Sequence, residues 1–276
     1  MTAEESETAE HRSPQREAGL AWAHPAAREI YRDDWLWVLD KPPGILSHPN
    51  PPGGKASNAL IRGTYDFERE LYRIEVPGER QRQVHLVHRL DLETSGLILC
   101  TFHGESAAVL KEALFHRELN KTYLALVRGI PSPARGEWKD RLEKISSGGK
   151  ATVVVRRGRV NAVSRYSVVE AFPAHDCALI SLEPETGRTH QLRIQSASRG
   201  HPIAGDERYG DFAWNRRLVE SIGLKRMFLH AHRVRLRHPT TGHLLRLEAP
   251  LSAKLTSPLD RLRGKNSAAK PGARKR

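Results

Sequence analysis

The chain has 276 residues, with 45 lysines and arginines against 32 aspartates and glutamates, which gives a net charge of +13 and an isoelectric point near 10.1. This positive excess favours a polyanionic partner, nucleic acid before an anionic membrane surface. No run approaches the roughly 18 apolar residues of a membrane-spanning helix, so the sequence predicts no membrane-inserted protein.

The cysteines and the two ends of the chain restrict the class of protein further. Cys100 and Cys177 are isolated, which excludes a disulfide framework and a zinc site of the CxxC type. The N-terminus lacks the apolar stretch of a signal peptide, which indicates a cytoplasmic protein. Residues 1–28 predict a disordered polar tail, and residues 253–276 are assigned to a basic C-terminal tail. The length between them fits one large domain or two small ones.

Short apolar stretches and helical spacings alternate between the tails. Strands are predicted over residues 35–40, 122–127, 166–169 and 178–182, with a hairpin formed by 234–237 and 244–249. Ala107, Leu110 and Leu114 have the spacing of one helix face, and residues 188–199 read as a helix closed by Gly200. The strands outnumber the helices without a regular βαβ rhythm. We therefore expect an α+β fold with a mostly antiparallel mixed sheet and flanking helices.

The densest polar cluster is HLVHRLDLETSG, residues 85–96, in which charged and imidazole groups alternate with apolar ones. Asp91 is its candidate nucleophile or base, because a carboxylate is ionised near neutral pH and can attack a sugar carbon and leave again. An equally good interpretation of a lone aspartate in such a run is a helix cap or a turn former.

A metal site is the alternative for the same cluster. His85, His88 and Asp91 are spaced three apart, and His230 and His232 are two apart, so they are possible ligands. Such spacings arise readily by chance among 14 histidines, and the sequence therefore does not favour a metal.

A second polar cluster covers residues 183–210. It brings Arg188, His190, Gln191, Arg193 and Arg199 into one turn and helix, where guanidinium and backbone N–H groups suit phosphate or carboxylate. If Arg188 lay beside Asp91, it would hold that carboxylate ionised. The alternative is ordinary surface charge on an exposed helix, and spacing alone does not decide between the two.

Four ordered motifs resemble those of the RluA-type pseudouridine synthase family. They are KPPGILSHP from Lys41, HRLDLETSG from His88, NKTYLALVRG from Asn120, and TGRTHQLR followed by GHPIAGDERYG. The C-terminal FLHAHRVRLRHPTTGHLLRLEAP is similar to the closing hairpin of that family. The resemblance covers residues 29–252 and implies a pseudouridine synthase catalytic domain without the extra N-terminal RNA-binding module of many relatives.

The resemblance implies a role for each matching residue. Asp91 would attack the ribose of the target uridine, Tyr123 would stack on the base, and Arg188 would pair with Asp91. Arg89 would enter the RNA stack as the base is flipped out. The remaining implied positions are RNA-binding His88, Thr189, His190, Gln191 and Arg193, and pocket-wall Leu90 and Leu192. No metal or organic cofactor is implied, and a monomer is expected.

The chain departs from the family pattern at Gln195, where relatives often carry histidine, and a changed RNA contact is expected there. The block from Gly200 resembles members that act on large-subunit ribosomal RNA, which favours rRNA over tRNA as the partner. Two other functions remain open at this stage: a non-catalytic RNA-binding protein on the same fold, and a metal-dependent hydrolase using His85, His88 and Asp91.

Overall fold

The computed structural model describes residues 23–49, 58–76, 81–147 and 150–264. Thirteen strands form one sheet in this part of the chain: β1 Arg28–Arg32, β2 Leu36–Lys41, β3 Thr64–Asp66, β4 Leu71–Ile74, β5 Arg82–Leu86, β6 Ser95–Thr101, β7 Asn120–Arg128, β8 Arg135–Ser147, β9 Lys150–Arg156, β10 Ala162–Phe172, β11 Cys177–Pro184, β12 Leu229–Arg237 and β13 Leu244–Glu248. The α-helices in the same ranges are α1 Gly104–Phe115, α2 Gln191–Ala197, α3 Phe212–Ile222 and α4 Ala253–Leu262. None of these helices has the length and apolar character needed to cross a membrane.

The sheet confirms the predicted α+β class and its mostly antiparallel pairing. Its main path runs β3-β4-β5-β6-β12-β7-β11-β10-β8-β9, while β2 pairs with β6 and β1, and β13 pairs with β12. The pairing of β6 with β12 is parallel, and the other strand pairs are antiparallel. The predicted hairpin is therefore present as β12 and β13.

Strands β2 and β6 lie in the middle of the first half of the sheet because both of their faces are apolar. Every residue of LWVLDK and of SGLILCT is buried, and the two strands pair from Leu36 with Thr101 to Lys41 with Gly96. A continuous apolar run of this kind suits a strand covered on both faces. The end of β2 is therefore fixed beside the start of β6, where the loop that carries Asp91 ends.

The two predicted helices are both present, with different bounds. Helix α1 buries Ala107 and Leu110 as its spacing predicts. Helix α2 is shorter than the predicted 188–199, because it begins only at Gln191 after His190, whose φ of 53° is left-handed and not helical. Three residues of the predicted helix thus belong to the preceding loop, which changes the direction in which its arginines point.

The domain boundaries also need correction. Ala23 and Ala27 are buried in the core ahead of β1, so part of the predicted N-terminal tail belongs to the fold. Residues 253–262, assigned to the basic tail, form α4 and pack Leu255 and Leu259 against α3. The segment folds despite its basic residues because one face of α4 buries apolar side chains. The tail predictions for residues 1–22 and 265–276 lie outside the described residues.

Candidate active site

A pocket open to solvent, with about 500 Å³ of empty space including its mouth, lies where the 87–94 loop, β7 and the start of α2 meet. Nine of the eleven predicted site residues line it: Arg89, Leu90, Asp91, Tyr123, Arg188, His190, Gln191, Leu192 and Arg193. Segments that are far apart in the sequence thus converge on one cleft, which is the usual form of a small-molecule or nucleotide site.

Asp91 is paired with an arginine inside this pocket, and that arginine is Arg193. Nη1 of Arg193 lies 3.1 Å from Oδ2 of Asp91. The same guanidinium donates to Asp206 twice, from Nε at 2.7 Å and from Nη2 at 2.9 Å. Because Asp206 also accepts the backbone N–H groups of Arg208 and Tyr209, it holds Arg193 in a single orientation toward Asp91.

The electrostatics of Arg193 and Asp206 follow from their burial and their pairing. Burial alone would raise the pKa of Asp206, but the hydrogen bonds and charge of Arg193 lower it below its ordinary value. Burial likewise acts against the charge of Arg193, and the two aspartates more than offset it, so the pKa of Arg193 is raised. The group facing Asp91 is therefore a permanent cation.

The expected pairing of Arg188 with Asp91 is wrong in this structure. Arg188 is exposed at the pocket rim, and its Nε donates to the backbone oxygen of Asn161 at 3.1 Å. The reason is local: Arg188 lies in the loop before α2, whereas Arg193 lies within α2 and its side chain is buried. Arg188 still lines the pocket, at a position where it can meet a ligand that enters from solvent.

The loop carrying Asp91 is held in place by Lys41, the last residue of β2. Nζ of Lys41, fully buried, donates to the backbone oxygens of Pro42, Ile45 and Leu92 at 2.7 to 3.0 Å. Burial lowers the pKa of this amine to about 7. The KPPGILSHP motif was recognised in the sequence, but its pattern did not reveal that Lys41 supports the loop.

Ser47, from the same motif, fixes the residue next to Asp91. Its hydroxyl donates to the backbone oxygen of Leu90 at 2.9 Å and accepts the backbone N–H of Leu90 at 3.0 Å. The hydroxyl of Tyr72 in turn donates to the backbone oxygen of Ser47. Asp91 therefore projects from a backbone that is fixed on both sides.

Gly96, the second residue of β6, allows this strand to lie against β12. The φ of Gly96 is +109°, and a Cβ there would stand 2.2 Å from the backbone oxygen of Ala231. Only glycine combines that conformation with this close approach. The glycine of the TSG sequence is thus required by the parallel contact that closes the site.

Tyr123 forms the apolar side of the pocket. It is 6% exposed and packs in one cluster with Leu90, Leu192 and Leu229. Burial, with a smaller effect from the charge of Asp91, raises the pKa of its phenol above the ordinary range. A neutral phenol ring on the buried, apolar side of the pocket is suited to stack on a planar base.

Two of the predicted RNA-binding residues, Gln191 and His190, form hydrogen bonds within the protein at the site. Gln191 is buried, and its amide binds Val163 and Ser164 and accepts from Thr186 and from the backbone N–H of Arg188. Nδ1 of His190 lies 2.9 Å from the hydroxyl of Tyr209. Gln191 therefore fixes the rim loop and has little hydrogen-bonding capacity left for RNA.

His88 and Thr189 do not line the pocket. Nε2 of His88 accepts the backbone N–H of Leu99 at 3.3 Å, and burial together with the nearby Lys121 cation lowers its pKa to about 3. Thr189 is exposed beyond the rim. The structure therefore gives His88 the place of a neutral structural residue, contrary to the expected contact with RNA.

Gln195 also differs from expectation. It is fully buried, and its amide nitrogen donates to Trp138 O at 3.1 Å and to Asp140 Oδ2 at 2.8 Å. Gln195 thus connects α2 to β8 and does not line the pocket. The difference from relatives at Gln195 therefore affects the packing of α2 on β8, and not a direct contact with RNA as expected.

The histidines considered as metal ligands have other neighbours. Within the described ranges, no three His, Cys, Asp or Glu side chains are grouped closely enough to hold a metal ion. His230 contacts the hydroxyl of Ser95 and the backbone oxygen of Ala249, and His232 contacts the same oxygen. Both imidazoles thus bind protein groups near the start of β12.

Comparison with known proteins adds independent findings. The sequence pattern described as RNA pseudouridylate synthase matches residues 35–198. Ribosomal large subunit pseudouridine synthase C of Salmonella typhi is 37% identical over 86% of this chain and 70% of its own length. The protein of the same name from Escherichia coli K12 is 36% identical over 85% and 69%.

The solved structure of human RNA Pseudouridylate Synthase Domain Containing 4 aligns with a TM-score of 0.60 and 25% identity, covering 85% of this chain and 92% of that one. The family pattern spans more than half of the residues, and the curated relatives exceed 30% identity over most of the chain. The chain belongs to the RNA pseudouridylate synthase family.

Proposed function

We propose that this protein converts uridines of large-subunit ribosomal RNA to pseudouridine, with Asp91 as the nucleophile. The observation that carries the proposal is the arrangement at the pocket floor. A carboxylate on a fixed loop faces a permanent cation held by Asp206, beside a buried tyrosine. An ionised carboxylate of this kind is suited to attack a sugar carbon and to leave again.

Arg193 acts on Asp91 through charge and position. Its guanidinium stabilises the carboxylate before attack, and its two bonds to Asp206 prevent it from turning away. Because the partner is fixed before the substrate arrives, little reorganisation is needed during the reaction. Asp206 is the functional residue that sequence reasoning missed, although it lies in the recognised GHPIAGDERYG motif.

The pocket accommodates a base that has left the RNA stack. A uridine inside a helix must be extruded at a cost of a few kcal/mol, and a wall aromatic such as Tyr123 recovers part of it. Leu90 and Leu192 complete an apolar surface that keeps water from the reacting base. Arg89 is exposed at the pocket, and its Nη1 lies 2.8 Å from Nε2 of His48. We propose that Arg89 contacts the RNA around the flipped nucleotide.

Ribosomal RNA is the substrate class because the curated relatives carry that target in their names. The net charge of +13 supports a large polyanion. We further propose that the protein acts in the cytoplasm, as a modifier of ribosomal RNA would, and that it is a monomer, which the resemblance to the family implies.

Pseudouridine mapping tests the proposal directly. Total RNA from cells with and without this gene is compared, and the deletion is complemented with wild type or with Asp91→Asn. We expect a defined large-subunit site to disappear on deletion and to return only with wild type. A site that changes in tRNA alone would redirect the proposal to tRNA, and an unchanged map would contradict enzymatic activity of this chain on ribosomal RNA.

Deletion of residues 264–276 tests whether the basic end contributes to RNA binding. This segment holds Lys265, Lys270, Arg274, Lys275 and Arg276 and no acid. We expect weaker RNA binding and a log–log salt slope reduced by up to about 3.5 to 4.5, since each of the five charges that neutralises a phosphate adds roughly 0.7 to 0.9. The measurement is the dissociation constant at four salt concentrations, and an unchanged slope would show that the segment does not bind.

A further inference from the structure

Lys121 lines the wall of the same pocket. It lies in β7 two residues before Tyr123, so the two side chains leave the strand on the same face, about 6 to 7 Å apart. The Lys121 side chain lines the pocket, and its surroundings are apolar enough to lower its pKa to about 8. Nothing so far described in the site uses this group.

Lys121 is half-buried, and it differs from three other cations near the site in having no protein partner within the described part of the chain. Lys41 donates to three backbone oxygens, Arg193 binds two carboxylates, and Arg226 donates to Ser95 and Glu93. Among the described residues, Lys121 has neither a hydrogen-bond acceptor nor an ion-pair partner for Nζ. Its one electrostatic neighbour is His88, whose pKa it helps to lower.

An enclosed cation without a counter-charge lowers stability, because desolvation is not repaid by an ion pair. Such groups are found where a ligand supplies the missing interaction. Since the described residues place no anion against Lys121, its acceptor must come from water or from the occupant of the pocket.

The target base is the part of the substrate that reaches this depth. The RNA phosphates stay at the rim, where exposed Arg89 and Arg188 can meet them. The base enters between Leu90 and Tyr123. When the glycosidic bond breaks, its electron pair goes to N1, and uracil then carries a negative charge spread onto its two carbonyl oxygens. An ammonium on this wall is the counter-charge for that anion.

We propose that Lys121 is a catalytic residue that binds a carbonyl oxygen of the flipped uracil and stabilises the detached uracil anion. The inference rests on the proposed function. A carboxylate oxygen of Asp91 bonds to C1′ as the C1′–N1 bond breaks. C5 of the rotated uracil then bonds to C1′, and the bond to Asp91 breaks with its electrons returning to the carboxylate. N1 gains one proton and C5 loses one, while Lys121 keeps its own.

The charge of Lys121 makes activity depend on pH. The charged or titratable residues that line the pocket with Lys121 are Arg89, Asp91, Tyr123, Arg188, His190 and Arg193, and His88 lies close enough to Lys121 to be affected by its charge. Of these, the pKa of Arg193 and that of Tyr123 are raised, while burial lowers the pKa of His88 and that of His190, so none of these four shifts moves a titration toward pH 8. Since the pKa of Lys121 is lowered to about 8, the free enzyme loses the cation as pH rises through that value. We expect kcat/KM to fall there.

Two substitutions in the full chain test the inference with deproteinised large-subunit ribosomal RNA as substrate. Lys121→Met removes the charge while keeping an unbranched side chain only one atom shorter, and Lys121→Arg keeps the charge at high pH. We expect Lys121→Met to lower the single-turnover rate at saturation by about 10² to 10³-fold, as loss of one oxyanion donor does. RNA affinity should change less than about twofold. Lys121→Arg should retain activity and lose the decline near pH 8.

The outcomes separate this inference from its alternatives. Lys121→Met should melt at or above the wild-type temperature, because an unpaired enclosed charge is removed. A lower melting temperature with reduced rate would mean a structural role, and weaker RNA binding with an unchanged saturated rate would mean a phosphate contact; either overturns the inference. An alkaline decline at the same pH in Lys121→Arg would do so too. If wild type itself forms no pseudouridine, the proposed function fails first, whereas an active wild type equalled by Lys121→Met refutes this inference alone.

Discussion

Asp91→Asn should abolish pseudouridine formation while leaving RNA binding nearly intact. The amide cannot attack C1′, and it carries no charge for Arg193 to stabilise, so we expect a loss of at least about 10⁴-fold. The dissociation constant for RNA should stay within about threefold, since a single pocket carboxylate adds nothing to phosphate attraction. Tritium release from RNA labelled at uridine C5 measures the reaction, because C5 loses its hydrogen when it bonds to the ribose.

Glu93→Gln is the matched control for Asp91→Asn. Glu93 lies on the same loop, is exposed and does not line the pocket. The same carboxylate-to-amide change should therefore leave the rate within about threefold of wild type. Asp91→Asn that retains near-wild-type activity, or Glu93→Gln that is as inactive as Asp91→Asn, would contradict the assignment of the nucleophile.

Asp91 and Tyr123 could be placed in the candidate site from the sequence because the motifs that contain them are local. HRLDLETSG identifies Asp91, and NKTYLALVRG identifies Tyr123, and the structure brings both into one pocket. The supporting contacts were not accessible in the same way. Lys41 acts on backbone oxygens, one of them at Leu92 far along the chain, and no pattern of residue types specifies that contact.

The choice between Arg188 and Arg193 shows why a motif alone was insufficient. Both arginines lie in TGRTHQLR, and which of them faces Asp91 depends on where the helix begins. A helix from Arg188 was expected, but the left-handed backbone of His190 delays its start to Gln191 and turns Arg193 inward. Helix boundaries are the least reliable part of a sequence-based prediction.

The C-terminal helix was missed for a different reason. Basic residues dominated the interpretation of residues 253–276, although Leu255, Leu259 and Leu262 have the spacing of one helix face and are buried against α3. The helical spacing of these leucines was present in the sequence, but it was overlooked because a run of basic residues follows it directly.

Arg193→Lys should lower the rate of modification by about 10²-fold or more. A lysine ammonium cannot reproduce the two bonds to Asp206 and the third to Asp91, because it lacks the planar guanidinium fork. Misplacement of a catalytic group by about 1 Å is enough for a loss of that size. The measurement is single-turnover tritium release at saturating enzyme, with RNA affinity and melting temperature recorded on the same preparations.

Arg188→Lys is the matched substitution, since it makes the same chemical change five positions earlier in the same motif. Arg188 contacts a backbone oxygen and no carboxylate, so we expect a rate within about threefold of wild type and a small change in RNA affinity. The pair therefore decides which arginine serves Asp91. If Arg188→Lys lost more activity than Arg193→Lys at equal RNA binding, the rim arginine would have to move onto Asp91 when RNA binds, and the family-based expectation would hold against the geometry described above. The opposite order would show that the site is already assembled before the substrate arrives, because Arg193 is held by Asp206 in the free protein.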